Sequence, residues 1–206
     1  MSTENAKSYH HKDLRRSLID QALTTLTAGG SQAISLRNLA REIGVSHSAP
    51  LRHFPTREAL LAELAVFGFE QLTEAMEVAK KKPSSKNMGD ALKNVGIAYV
   101  RFAIQQPHLF RLMFTADRVD STRYEQLRQA GDQCKAVMVD LVVLAVGSGD
   151  LVASSTEMLA LSCWAMVHGV ASLAIDQQVD ISNEQAIVMV TSQLLHHLEN
   201  GIAAKL

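Results

Sequence analysis

Between Ser35 and Arg57 the chain gathers hydroxyls, imidazoles and guanidinium groups at short intervals: Ser35, Arg37, Ser46, His47, Ser48, Arg52, His53, Thr56 and Arg57. Guanidinium and imidazole donate to phosphate oxygens, and short polar side chains on an exposed helix can reach base edges in a major groove. Other candidate chemistry is thinner. The adjacent pairs His10-His11 and His196-His197 point about 100° apart on a helix, with no acidic or cysteine partner at ligand spacing, so they read as solvated histidines and no metal site is expected. Cys134 and Cys163 lie in apolar stretches, where reduced cysteine behaves as a small hydrophobe. With no glycine-rich phosphate loop and no strand-borne nucleophile, no catalytic residue and no cofactor are expected.

The elements that must position these groups are helices. Of the 206 residues, 47% are apolar, proline is scarce, and β-branched residues are scattered without alternation. An all-α fold of about nine helices follows. The first is expected from about His10 to Ala28, with Leu14, Leu18, Ala22, Leu23 and Leu26 on one face and Gly29-Gly30 as its stop. A short second helix should follow Ser35, whose hydroxyl can cap it, and end near Gly44. A third is expected between Ser46 and Pro55, Pro50 costing it only an early hydrogen bond. A fourth starts after Thr56 and carries Leu60, Leu61, Leu64, Phe67, Leu72 and Met76 until the Lys80–Lys86 loop, where Pro83 breaks it. Beyond that loop come an amphipathic helix through Tyr99 and Phe102 and a short one opened by Pro107. Capping boxes mark three more starts, at Thr122, Ser154 and Ser182.

Ala40 and Gly44 stand four apart, a small residue where two helices touch and a left-handed-tolerant one at the turn, with Leu39, Ile43 and Val45 expected toward the core. Val45-Ser46, His53-Phe54, Thr56-Arg57-Glu58 and Leu60-Leu61 then follow in order. This segment resembles the TetR family of regulators, whose N-terminal helix-turn-helix ends in V-S-x-x-x-L-Y-x-H-F followed by a capped helix. The resemblance implies a three-helix DNA-binding domain, residues 1–56, and a larger helical ligand-binding and dimerisation domain, 57–206, linked by the helix 57–80. It also implies that Arg37, Ser46, His47, Ser48 and Arg52 contact bases or nearby phosphates, with Ser35 and Thr56 at the flanking helix starts. Two departures stand out: Pro50 occupies the usual leucine position and Leu51 the usual tyrosine position. Leu51 is free to touch a thymine methyl, and Arg52, His53 and Arg57 are expected to take over backbone anchoring. Arg41 reads as a solvated face, and Phe54 as core.

Farther on, Tyr99-Val-Arg-Phe102, the Pro107–Phe114 run, Trp164 and His168-Gly169 look like the TetR C-terminal type named for its Trp, His and Gly. Trp164 and His168 share a helix face, beside a glycine that permits close approach of another backbone. Two readings are open: a packed core with one satisfied histidine, or an apolar pocket walled by Phe102, Phe110, Met113, Phe114, Met138, Trp164 and His168. The last two helices, about 156–176 and 183–202, carry more apolar surface than a monomer can cover, including Ile187, Val190, Leu194, Leu198 and Ile202. In TetR-like proteins such helices form a four-helix bundle between two subunits.

Charge agrees with an anionic partner at one end. Residues 1–60 carry +3 and the remainder −4, for a total of −1. The polar first twenty residues show no secretory signal, and the apolar run from Leu159 to Ile175 falls short of a membrane span, so a cytoplasmic protein is expected. The expected activity is repression: a homodimer holds a palindromic, double-stranded operator and is released by a small apolar effector that shifts the tilt of the DNA-binding unit. A helical interaction or ligand-binding module that never meets DNA is the alternative.

Overall fold

The computed structural model describes residues 3–81, 87–114, 123–153 and 155–200, with side chains between Leu14 and Leu198. Among these residues there are eight α-helices, two short 3-10 turns and no strand. The chain divides into two compact units. One comprises residues 1–68 and 108–128, the other 69–107 and 129–206. The expected division at 56/57 follows the DNA-binding segment, whereas these units place the following helix's first three turns with that segment and bring in 108–128.

In the first unit, α1 (Thr3–Gly29) buries Leu18, Ala22 and Leu26, spaced four apart on one face. A 3-10 turn, Ser31–Ala33, leads into α2 (Leu36–Glu42). Ser35 has the extended backbone of a cap, but its hydroxyl makes no capping bond, contrary to expectation. Leu39 and Ala40 are buried, and Gln21 Nε2 of α1 donates to Glu42 Oε2 at 3.0 Å. Gly44 turns the chain at φ +74°, a left-handed conformation that any Cβ would strain. Ile43 and Val45, expected in the core, are only half-buried, because they flank this turn at the rim of the unit.

No third α-helix follows. Residues 47–49 form a turn and Pro50–Arg52 a 3-10 turn, which is why eight α-helices stand where nine were expected. Pro50 has no N–H to return to the Ser46 carbonyl, so the segment closes mainly through three-residue bonds, with one four-residue bond from Phe54 N–H to Pro50 O at 2.9 Å. Ala49 N–H donates to Ser46 O at 3.0 Å and His53 N–H to Pro50 O at 2.9 Å. The turn still buries Pro50 and Phe54. α3 (Arg57–Lys80) starts as expected, its Ala59 N–H donating to Thr56 Oγ1 at 3.1 Å. Its Leu60, Leu61 and Leu64 complete the core of the first unit, together with Leu109, Phe110 and Leu112 of α5 (Pro107–Phe114).

The second unit takes the rest of α3, with Leu72 and Met76 buried, and adds α4 (Met88–Gln105), α6 (Glu125–Gly147, from Gln129), α7 (Thr156–Ile175) and α8 (Glu184–Asn200). α4, α7 and α8 meet at Gly96. A Cβ there would lie 3.0 Å from Leu195 Cδ1 and 3.2 Å from Val167 Cγ1, so glycine is what lets the three helices approach. Two starts differ from the expected capping boxes. α8 is capped by Asn183 rather than Ser182, through Asn183 Oδ1 and Ala186 N–H at 2.9 Å. α7 is capped by Ser155, whose Oγ accepts from Met158 N–H at 3.3 Å. Thr122, Ser154, Pro83 and Ile202 lie outside the described residues. By length and composition α7 could cross a membrane, being longer than the run counted from sequence. Its Cys163, Val167, Val170 and Ala171 are nevertheless buried.

Candidate functional site

In the first unit, the polar residues singled out from sequence lie at the surface above a buried floor. Arg37, Ser46, His47, Ser48, Leu51, Arg52, Thr56 and Arg57 are exposed, and Ser35 and His53 half-buried. Leu39, Ala40, Pro50 and Phe54 form the floor. Ser46 Oγ and Ser48 Oγ are hydrogen-bonded at 3.3 Å. Leu51 keeps half of its side chain in solvent although it is a large apolar residue, which leaves it available to an apolar contact. Arg41 is exposed as well. Short side chains on a tight turn, flanked by Arg37 and Arg52, can approach a polyanion without obstruction from the fold.

Two arginines do work that their spacing did not reveal. Arg15 of α1 places its guanidinium over the Phe54 ring, 5.3 Å from the centroid, and pairs with Glu63 of α3 at 2.7 Å. It joins three elements across the unit. Arg57 turns back toward the start of α2: its Nε donates to the Ile34 carbonyl at 2.9 Å and its Nη2 to the Ser31 carbonyl. No periodicity could have signalled either role, since the partners lie 23 to 48 residues away.

The seven residues proposed for a ligand wall fall in both units. Phe110, Met113 and Phe114 belong to the first. There Phe110 and Met113 are buried, the Phe110 and Phe114 rings are tilted by 50° with centroids 4.8 Å apart, and Met113 lies against Gly68 of α3. Phe102, Met138, Trp164 and His168 belong to the second. There His168 Nδ1 and Tyr99 Oη are hydrogen-bonded at 2.9 Å, and Trp164 stands tilted against the His168 ring, with Lys135 Nζ 5.5 Å from the indole. Burial shapes this cluster electrically. It pushes the Tyr99 hydroxyl far above its ordinary value and holds the His168 imidazole below its own, so both stay neutral at neutral pH. Tyr99 is the member that sequence reasoning missed as a polar partner.

Gly169 does not mediate a contact within the chain: among the described residues, nothing lies within 4 Å of where its Cβ would be. A separate cavity of about 340 Å³ in the second unit is lined by Leu92, Lys93, Asp150, Leu159, Cys163 and Leu195 among others. None of the seven residues proposed for a ligand wall lines it. Among the described residues no three of His, Cys, Asp and Glu gather as metal ligands.

Comparison with known proteins fits this geometry. Residues 18–64 match the family model described as bacterial regulatory proteins, tetR family, and residues 92–195 match that of the tetracyclin repressor-like C-terminal domain. The nucleoid occlusion factor SlmA of Salmonella newport is 30% identical over 130 residues, which span 60% of this chain and 63% of that relative's length. A protein of unknown function from Rhodococcus sp. RHA1 superposes with a TM-score of 0.79 at 34% identity, over 93% of this chain and 96% of its own. FadR from Bacillus subtilis, in complex with stearoyl-CoA, shares the fold at 16% identity, with a TM-score of 0.71 over 91% of this chain and 99% of its own. With family models covering both the helix-turn-helix segment and half of the chain beyond it, this protein belongs to the TetR family of DNA-binding transcriptional regulators.

Proposed function

We propose that this regulator is a repressor that binds a roughly palindromic operator as a homodimer in the cytoplasm and is released by a small apolar effector; it is read as a regulator and not as an enzyme. Arg37, Ser46, His47, Ser48 and Arg52 make the base and nearby phosphate contacts, flanked by Ser35, His53 and Thr56, and Leu51 meets a thymine methyl. The observation that carries this reading is the uncovered polar row over a buried floor, on the N-terminal segment with the positive balance.

Uncovered apolar surface supports the dimer. On α7, Met158, Leu161 and Leu173 are between 44 and 58% exposed, and on α8 Met189 is 55% exposed, large apolar side chains in solvent on both of the final helices. A second copy packing α7 and α8 against these helices would cover them. In the second unit, Trp164 and His168, with Tyr99, Phe102 and Met138, form the proposed effector site, a mostly apolar set with a neutral hydrogen-bonding pair. Neutrality favours an uncharged contact there, and a fold neighbour that holds stearoyl-CoA supports an apolar ligand.

The test is selection of duplexes from a random-sequence library, followed by band shifts across ionic strength and light scattering of the free protein. Dimers that select a palindrome, with affinity falling steeply as salt rises, are expected. A monomer that ignores duplex DNA at low ionic strength would overturn the reading in favour of an interaction module.

A further inference from the structure

Arg57 stands where a TetR-like protein is expected to anchor phosphate, yet its guanidinium, on an exposed residue, is bonded back to the chain. Nε donates to the Ile34 carbonyl at 2.9 Å and Nη2 to the Ser31 carbonyl, so one side chain on the first turn of α3 grips both sides of the 3-10 turn Ser31–Ala33. Ser31 and Ile34 are themselves buried. Within the turn the Ser31 carbonyl accepts from Ile34 N–H at 3.2 Å, and the guanidinium adds a second donor to it and one to the Ile34 carbonyl. Directly after it comes α2, seven residues long and without a side-chain cap at Ser35. A helix that short does not hold itself in water. It nevertheless presents Arg37 at the surface.

We infer that Arg57 is a positioning residue for DNA recognition: it sets the start of α2, and through it the placement of Arg37, by clamping two backbone carbonyls. The planar fork of guanidinium is what allows one side chain to serve both carbonyls. A lysine ammonium at the same position carries the same charge on a flexible stem and lacks that geometry. The inference rests on the DNA-binding reading, and charge and geometry can be separated experimentally.

Wild type, Arg57→Lys and Arg57→Gln are titrated with a duplex recovered by wild type from a random-sequence library, at several salt concentrations. Amide hydrogen exchange is followed in parallel over residues 31–42 and over α8. Both variants are expected to lose affinity by about tenfold with the salt slope of wild type, and to exchange faster over 31–42 while α8 exchanges as before. If Arg57 instead contacts phosphate through its charge, Arg57→Lys binds and exchanges like wild type, and Arg57→Gln lowers the slope by about one unit; that pattern overturns the inference. Should wild type recover no duplex, the DNA-binding reading fails by itself, and unchanged exchange over 31–42 in both variants still refutes the clamp.

Discussion

Replacing Phe54 by alanine should unfold the DNA-binding unit rather than merely alter what it recognises. The ring is only 2% exposed, at the junction of the Pro50–Arg52 turn with α1 and α3, and carries the Arg15 guanidinium 5.3 Å above it. Truncating a buried phenylalanine costs about 3–5 kcal/mol through lost transfer energy and the cavity left behind. Losing the Arg15 contact adds about 0.5–1 kcal/mol, at the low end because the Arg15 side chain is 44% exposed. A loss of about 3.5–6 kcal/mol reaches the lower end of the whole stability of a typical domain, about 5–15 kcal/mol. Phe54→Leu refills most of the space, so its cost should fall to about 1–1.5 kcal/mol. Because the chain forms two units, a single unfolding curve would mix them. Hydrogen exchange resolved by peptide in increasing urea separates them: residues 14–68 should lose protection in Phe54→Ala while α7 and α8 keep theirs. An alanine variant that stays within about 1 kcal/mol of wild type over 14–68 but no longer binds DNA would refute the argument, since the ring would then be a contact and not a floor.

The caps make a paired prediction. Asn183→Ala, which removes the acceptor for Ala186 N–H, should cost about 1 kcal/mol, read from hydrogen exchange over α8 in increasing urea, and Ser182→Ala no more than a few tenths; the reverse order would restore the capping box expected from sequence. The His168 imidazole predicts a pH dependence of definite sign. Its folded value lies below the ordinary 6.5 because burial disfavours the charged form. Its contribution to stability is therefore complete above 6.5 and is lost as pH falls below 6.5 toward the folded value, where the unfolded chain binds the extra proton. His168→Gln should flatten that limb of the stability profile, and an unchanged slope would mean the imidazole is not shielded.

Much of this was legible in one dimension. Leu18, Ala22 and Leu26 announce their helix by spacing alone, and Thr56 caps α3 as its position before Arg57-Glu58 suggests. Between Ser46 and Pro55 the conformation was not legible. A cap at Ser46 and helix-compatible residues after it argue for a third helix, while the missing N–H of Pro50 tips a stretch this short into turns. Near Trp164 the helical face was readable. Its hydrogen-bonding partner was not, because Tyr99 and His168 are 69 residues apart and meet only when α4 packs on α7.

What the amino-acid order decides without help is periodicity, punctuation and charge: an all-helical chain, a glycine turn at Gly44, a cationic N-terminal end and an apolar pair of final helices. These depend on interactions within a few residues, which repeat wherever the same pattern occurs. The destination of long, flexible side chains was decided only in three dimensions. Arg15 could have faced solvent and Arg57 could have faced phosphate; packing brought Phe54 and Glu63 to one and two buried carbonyls to the other. A guanidinium at the end of several rotatable bonds goes where acceptors and ring faces are, and folding alone determines where those lie.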